Sequence, residues 1–319
     1  MREISAADTR FHGVGWRVVA RKELADHLLS SRFIILLAIL GIAASGAVYA
    51  ASTGIRGVAP AVDDTVGLFL KLFTVTADPV PFPFVTFVGF LAPLLGIMFG
   101  FDAVNGERSQ GTLPRMLSHP IHRDEVILGK FVAGLTVISV MIVSLTALVA
   151  GIGIFRLGVA PSAADATRLL AWLVYGIVYV ALWLGLAVLA SVATRRASTS
   201  ALVAVSIWLI LVLFGAVLVQ TLASAIGGND PISVTQTEIA ISRASPLTLF
   251  EEVSSVLLDP AQRTVGLVTV DQIDRAIASN LSVTQSLIVI WPQIVLTVGV
   301  TAMMFAAAFV VFMRQEVRA

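Results

Sequence analysis

Apolar and polar positions along this chain fall into long blocks rather than the short periods of a soluble domain. Six predominantly apolar runs, 33–52, 82–100, 131–154, 169–193, 200–225 and 286–313, are each long enough to cross a bilayer, because about 20 such residues span about 30 Å of hydrocarbon. Each predicts a transmembrane helix, the form in which one segment satisfies all its own backbone hydrogen bonds. Pro93 and Gly96 interrupt the second run, and Gly96 with Gly100 forms a small-residue spacing that lets helices approach closely.

Ahead of the first run, 15–32 winds as an amphipathic helix. At about 100° per residue, Val18, Leu24, Ala25, Leu28 and Leu29 share one sector, while Lys22, Glu23, Asp26, His27 and Ser30 lie opposite and Arg17 and Arg21 intrude on the apolar side. This predicts an interfacial helix on the inner leaflet, with Trp16, Arg17, Arg21, Leu24 and Leu28 as its anchoring residues and its arginines snorkelling to headgroups. A plain cytoplasmic extension of the first span is the alternative. His27 reads as a solvated polar-face residue.

The long polar segment 227–285 opens with the turn residues of 227–231. Within it, 243–260 predicts a helix with Ser245 as N-cap, Pro246 at the first helical position and Asp259-Pro260 as its stop. Its apolar face suggests that it lies on the outer membrane surface or caps the bundle, and a second short helix is expected over 270–278. The fold class is therefore an all-α integral membrane protein. It has six transmembrane helices, an N-terminal amphipathic interfacial helix and short extracytoplasmic helices before the last span.

Composition agrees: 57% of residues are hydrophobic and 13% charged, against about 45–50% and about 25% in soluble domains. An even number of spans puts both termini on one side, together with 101–130 and 194–199. Fourteen of the 21 Lys and Arg lie on that side, so the positive-inside rule makes it cytoplasmic. The organisation expected is a cytoplasmic N-terminus over 1–32, a transmembrane domain over 33–319, a cytoplasmic loop 101–130 and an outer segment 227–285. Localisation follows as a multi-pass membrane protein with both termini cytoplasmic. The charge-rich 32 residues before the first span do not resemble a cleavable signal peptide. A net charge of +1, with basic residues at span ends, predicts no nucleic-acid partner.

Candidate chemistry is sparse. The chain has no cysteine, which excludes thiol nucleophiles and thiolate metal sites. Its near match to a phosphate-binding loop, around Gly129-Lys130, has Asp124 where the first glycine belongs and Phe131 where the hydroxyl belongs. His119 and His122 lack a third metal ligand nearby. The six apolar runs contain no Asp, Glu, Lys or His, so a secondary carrier, which relays its ion through charged intramembrane residues, is disfavoured. Any transport would draw its energy from elsewhere.

One stretch carries a resemblance. Glu107-Arg108, Gly111-Thr112-Leu113, Leu117, Pro120, Arg123, Glu125 and Leu128-Gly129-Lys130, directly after the second span, match the cytoplasmic segment of ABC-2 type permeases. Residues 20–33 and 245–260 agree with it, and the whole chain resembles the subgroup containing the permease of the nitrous-oxide-reductase maturation transporter. Two features depart from that pattern. His122 stands where a hydroxyl residue is common, which is expected to remove a capping box with Glu125, and the outer segment is longer than in minimal permeases.

The resemblance implies a permease subunit of an ATP-driven exporter, without catalytic, cofactor or metal residues of its own. ATP and magnesium would be bound by a separate ATP-binding subunit, and a second permease subunit, in a homodimer, would complete the path in the lipid bilayer. Coupling to the ATPase would run through Glu107, Arg108, Gly111, Thr112, Leu113, Met116 and Leu117. The charged pair would make charge-assisted hydrogen bonds, and Leu113, Met116 and Leu117 an apolar anchor. A membrane anchor or assembly factor that does not transport is the competing reading.

Overall fold

The computed structural model describes residues 15–58, 67–111, 122–228, 230–262 and 280–315. Twelve helices and no strands are found among them: α1 (Gly15–Leu28), α2 (Ser31–Val58), α3 (Lys71–Thr74), α4 (Phe84–Gly100), α5 (Asn105–Ser109), α6 (Arg123–Leu157), α7 (Ala163–Ala193), α8 (Ala197–Leu213), α9 (Gly215–Gly227), α10 (Pro231–Ser242), α11 (Pro246–Leu258) and α12 (Val283–Arg314). Five of these are long and apolar enough to cross a membrane, and the α8–α9 pair makes a sixth if counted as one span.

Several helices outrun the apolar stretches that announce them. Helix α6 has 35 residues, which at 1.5 Å per residue is about 50 Å against about 30 Å of hydrocarbon. Its first two turns, Arg123–Lys130, are thus the part that projects beyond an apolar run beginning at Phe131. The histidine expected to remove the capping box does not do so: the Glu125 carboxylate accepts from the His122 backbone N–H at 3.2 Å, and the helix starts at Arg123. Pro93 lies inside an unbroken α4.

The stretch expected as a single span over 200–225 is broken at Phe214, and its two halves meet at 59°. A glycine follows at Gly215, where helix propensity is lowest apart from proline and no side chain bridges the turns. Helix α10 was not legible in the hydrophobic pattern, although its Asp230 N-cap followed by Pro231 is a start signal. Both Asp230 oxygens accept from backbone N–H groups, at 3.3 Å from Ile232 and 3.2 Å from Ser233. The helix expected over 270–278 lies outside the described residues.

The bundle centres on α7, which packs along α12 and α4, while α2 packs on α6. Helix α11 is a plug rather than a surface rod. Its Phe250 is fully buried and stacks on Tyr179 at 4.6 Å and Tyr175 at 6.2 Å between ring centroids, and Trp172 donates to Ser254 Oγ at 2.8 Å. Arg168, one residue before the apolar run 169–193, holds the plug from beneath. Its Nη1 donates to the Val256 and Leu257 carbonyls at 3.3 Å each and to Ser286 Oγ at 2.9 Å, and its Nη2 donates to the Leu281 carbonyl.

One guanidinium thus satisfies carbonyls at the end of α11 that have no intrahelical partner and ties them to the start of α12. Replacing Arg168 with methionine is expected to lower stability by about 2 kcal/mol, the scale of hydrogen bonds to a charged donor. Thermal melting of the purified protein checks this, with Arg168→Lys recovering part of the loss because an ammonium cannot span both helix ends.

Side-chain bonds define two ends of the bundle. At one, called here the terminal end, Gln315 after α12 donates to the Val192 carbonyl in α7 at 2.7 Å, and Arg32 pairs with Asp102 at 2.8 Å. At the opposite end, Arg156 of α6 donates to Ser52 of α2 at 2.7 Å and lies over the Tyr49 ring. Helix α1 and the start of α6 lie at the terminal end, and α3 and α11 at the other.

Candidate functional site

The segment between α4 and α6 is anchored to the terminal end of α7. A five-residue helix such as α5 leaves its first N–H groups without internal partners. Here Ser191 Oγ accepts from the Val104 and Asn105 N–H groups at 3.0 and 3.2 Å. The Asn105 amide adds a bond to Thr194 Oγ1 at 3.3 Å. Gly111 follows α5 at φ +67°. Thr112, Leu113, Met116 and Leu117 lie outside the described residues.

From α5, Glu107 and Arg108 reach in different directions. Glu107 Oε1 lies 3.4 Å from Lys130 Nζ on α6 and 3.6 Å from Lys22 Nζ on α1, and its side chain is only 15% exposed. Arg108 donates to the Gln315 side chain, while Arg123 donates to the Gln315 backbone carbonyl at 2.9 Å. The pair expected to face a partner is therefore also engaged within the chain: Glu107 joins α5 to α1 and α6, and Arg108 joins α5 to the end of α12.

Helix α1 docks on the projecting turns of α6 through three successive contacts. The Gly15 N–H donates to Glu125 Oε1 at 3.1 Å. Four residues on, Val19 sits over Gly129, where a Cβ would lie 2.8 Å from the Val19 Cβ and 2.7 Å from the Trp16 carbonyl. Another four residues on, Glu23 accepts from the Lys130 ammonium at 2.8 Å, with the Lys130 side chain 4% exposed. Gly129-Lys130, which read as a failed phosphate loop, is the seat of α1: the glycine admits its backbone and the lysine fixes its register.

This corrects the helical-wheel reading of α1. Glu23, expected on the solvated face, is buried, and His27 packs edge-on against Phe99 at 5.2 Å. The exposed face carries Arg17, Val18, Arg21, Lys22, Ala25, Asp26 and Leu29, and Trp16, Leu24 and Leu28 are partly buried. Charge complementarity with Lys130 outweighed the apolar count, because α6 presents a buried cation to this side of α1. Sequence reasoning counted Lys130 as a topology charge and missed its pairing; the available signal was the four-residue spacing of Gly15, Val19 and Glu23 against Glu125, Gly129 and Lys130.

The electrostatics follow from the packing. Burial pushes the Glu23 carboxyl up, but the charge and hydrogen bond of Lys130, with Lys22 behind it, more than reverse this and hold it below the usual glutamate range. Burial holds His27 below the usual imidazole range. A cleft of about 300 Å³ opens beside these groups. No cluster of three or more metal-ligating side chains is found among the described residues. Five elements from distant parts of the chain, α1, α5, α6, α7 and the end of α12, meet at α5.

Residues 17–317 match the family model described as ABC-2 family transporter protein. The chain is 35% identical over 119 residues to a protein of Pseudomonas aeruginosa named probable ABC transporter permease protein NosY, across 35% of this chain and 36% of that protein. It is 32% identical over 120 residues to the protein of the same name from Stutzerimonas stutzeri, across 36% of each. The chain thus matches about a third of the length of these curated relatives. With the family match running from α1 through the end of α12 and five to six helices able to cross a membrane, the chain is a multi-pass membrane protein and belongs to the ABC-2 family of transporter proteins.

Proposed function

We propose that this chain is the permease subunit of an ATP-driven exporter, coupled to a separate ATP-binding subunit through the segment 101–130 and paired with a second copy of itself. In this reading the terminal end is cytoplasmic, in a prokaryotic plasma membrane. The observation that carries it is the wiring of α5: Glu107 and Arg108 connect one short helix to α1, α6 and the end of α12, and Asn105 connects it to α7. A push on the segment from a closing ATPase would therefore reach several spans together, as alternating access requires. Thr112, Leu113, Met116 and Leu117, with Gly111 leading into them, supply the apolar contact with the ATPase. The exposed Arg17, Val18, Arg21, Ala25 and Leu29 face of α1 rests on the inner leaflet, with arginines at headgroup level.

Co-expression with the ATP-binding subunit tests this. A stable complex is expected, and Glu107→Lys and Arg108→Glu are each expected to lower complex recovery or permease-dependent ATPase activity about tenfold, the loss of one charge-assisted contact. Glu107→Gln, which keeps a hydrogen-bonding group toward Lys130, separates coupling from local folding. Unchanged recovery and ATPase rate in both charge reversals rules out the coupling role and favours the non-transporting anchor.

A further inference from the structure

A cavity of about 630 Å³ lies at the end of the bundle away from the α5 junction, between α3, the start of α4 and the end of α11. Its size is that of a small-molecule site. Among the described residues its walls carry the Lys71 ammonium, the Glu251 and Asp259 carboxylates, and the neutral hydrogen-bonding groups of Thr74, Thr86, Ser255 and Asn280. None of these three charged groups forms an ion pair among the described residues, and Arg168 behind the end of α11 acts on Asp259 through its charge. Lys71, Glu251 and Asp259 are all exposed to this space; Asp259 uses Oδ1 to accept from the Ala261 N–H at 3.0 Å, leaving its second oxygen available, and partial desolvation at the wall raises the Glu251 carboxyl.

We propose that this cavity binds a ligand carrying an ammonium group beside an anionic group, the ammonium on Glu251 and Asp259 and the anion on Lys71. A purely anionic ligand would face two carboxylates, and a simple cation would leave Lys71 uncompensated; a zwitterion answers both. The cavity borders Pro83 and Val85, where α4 enters the apolar zone, so phosphoethanolamine chemistry fits, whether as a phospholipid headgroup or as a soluble molecule. The inference does not depend on coupling to an ATPase and is tested on the permease alone.

The purified permease in nanodiscs of phosphatidylethanolamine or phosphatidylglycerol is examined by native mass spectrometry, and the detergent-purified protein is titrated with glycerophosphoethanolamine. Retained phosphatidylethanolamine is expected to exceed phosphatidylglycerol in the wild type. Glu251→Gln and Lys71→Gln are each expected to weaken binding about ten- to hundredfold, the scale of one charge-assisted contact, with melting temperatures unchanged. Binding of the soluble probe at the lipid's affinity identifies a soluble ligand; retention of the lipid alone identifies a headgroup. Equal retention of both lipids without soluble binding, or variants that bind as the wild type does, overturns the proposal.

Discussion

Replacing Lys130 with methionine will lower the stability of this protein by about 3–5 kcal/mol, the cost of removing one partner from a buried ion pair. The lysine side chain is 4% exposed and serves Glu23 at 2.8 Å and Glu107 at 3.4 Å, whose side chains are 11% and 15% exposed. Without it, both carboxylates share Lys22, which lies 3.2 and 3.6 Å away and is 55% exposed, so much of its field is lost to solvent. Thermal melting measures the loss, and faster proteolysis at α1 localises it. The double variant Glu23→Gln with Lys130→Met should recover part of the difference, because it removes an uncompensated charge together with its partner. A Lys130→Met protein that melts like the wild type sinks this account.

The same pair gives a pH dependence with a defined sign. Glu23 titrates below its unfolded value, so the pair's contribution is fully present above the usual glutamate range and is lost as pH falls through the lower folded value. Burial of neutral His27 acts in the same direction, since protonating it below its unfolded value costs stability. Acid is therefore expected to release α1 before it unfolds the bundle, seen as α1 proteolysis preceding global melting.

The second large effect is expected at Gly96. A Cβ there would lie 2.8 Å from both the Leu184 N and the Val180 carbonyl oxygen, and one at Gly100 would lie 2.8 Å from the Ala187 Cβ. Overpacking generally costs about 1–3 kcal/mol when neighbours can yield. Here the neighbours of Gly96 are backbone atoms of α7, so α4 itself must shift. Gly96→Val is expected at or above the top of that range, with loss of the monodisperse peak in size exclusion. Gly151→Ala serves as the control, since nothing lies within 4 Å of the added carbon. A Gly96→Val protein that elutes and melts normally excludes the close approach of α4 and α7.

These sites differ in how far the sequence reveals them. The Gly96 and Gly100 spacing was visible as a possible contact, but small-residue pairs recur by chance, and only the packed bundle names α7 as the partner. At the α5 junction, the motif residues Glu107, Arg108, Glu125, Gly129 and Lys130 were legible as a group, yet their pairings were not. Glu23 was placed on the wrong face because a helical wheel ranks faces by hydropathy and cannot see a buried cation on another helix. Arg168 and Gln315 carried no local signal, because each is defined by groups between 88 and 207 residues away in sequence.

The sequence by itself determined that this is an all-α membrane protein, because about 20 apolar residues in a row have one stable backbone solution in hydrocarbon, and its loop motif pointed to the ABC-2 family. It also determined the start and stop of α11 through Ser245, Pro246 and Asp259, since those signals are local. The tertiary structure alone decided that α11 is an internal plug, that the stretch expected as the fifth span breaks at Phe214, and that α1 turns Glu23 inward onto Lys130. Each of those outcomes depends on what another helix presents across the interface, and hydrophobic periodicity along one segment carries no information about its partner's charges or backbone.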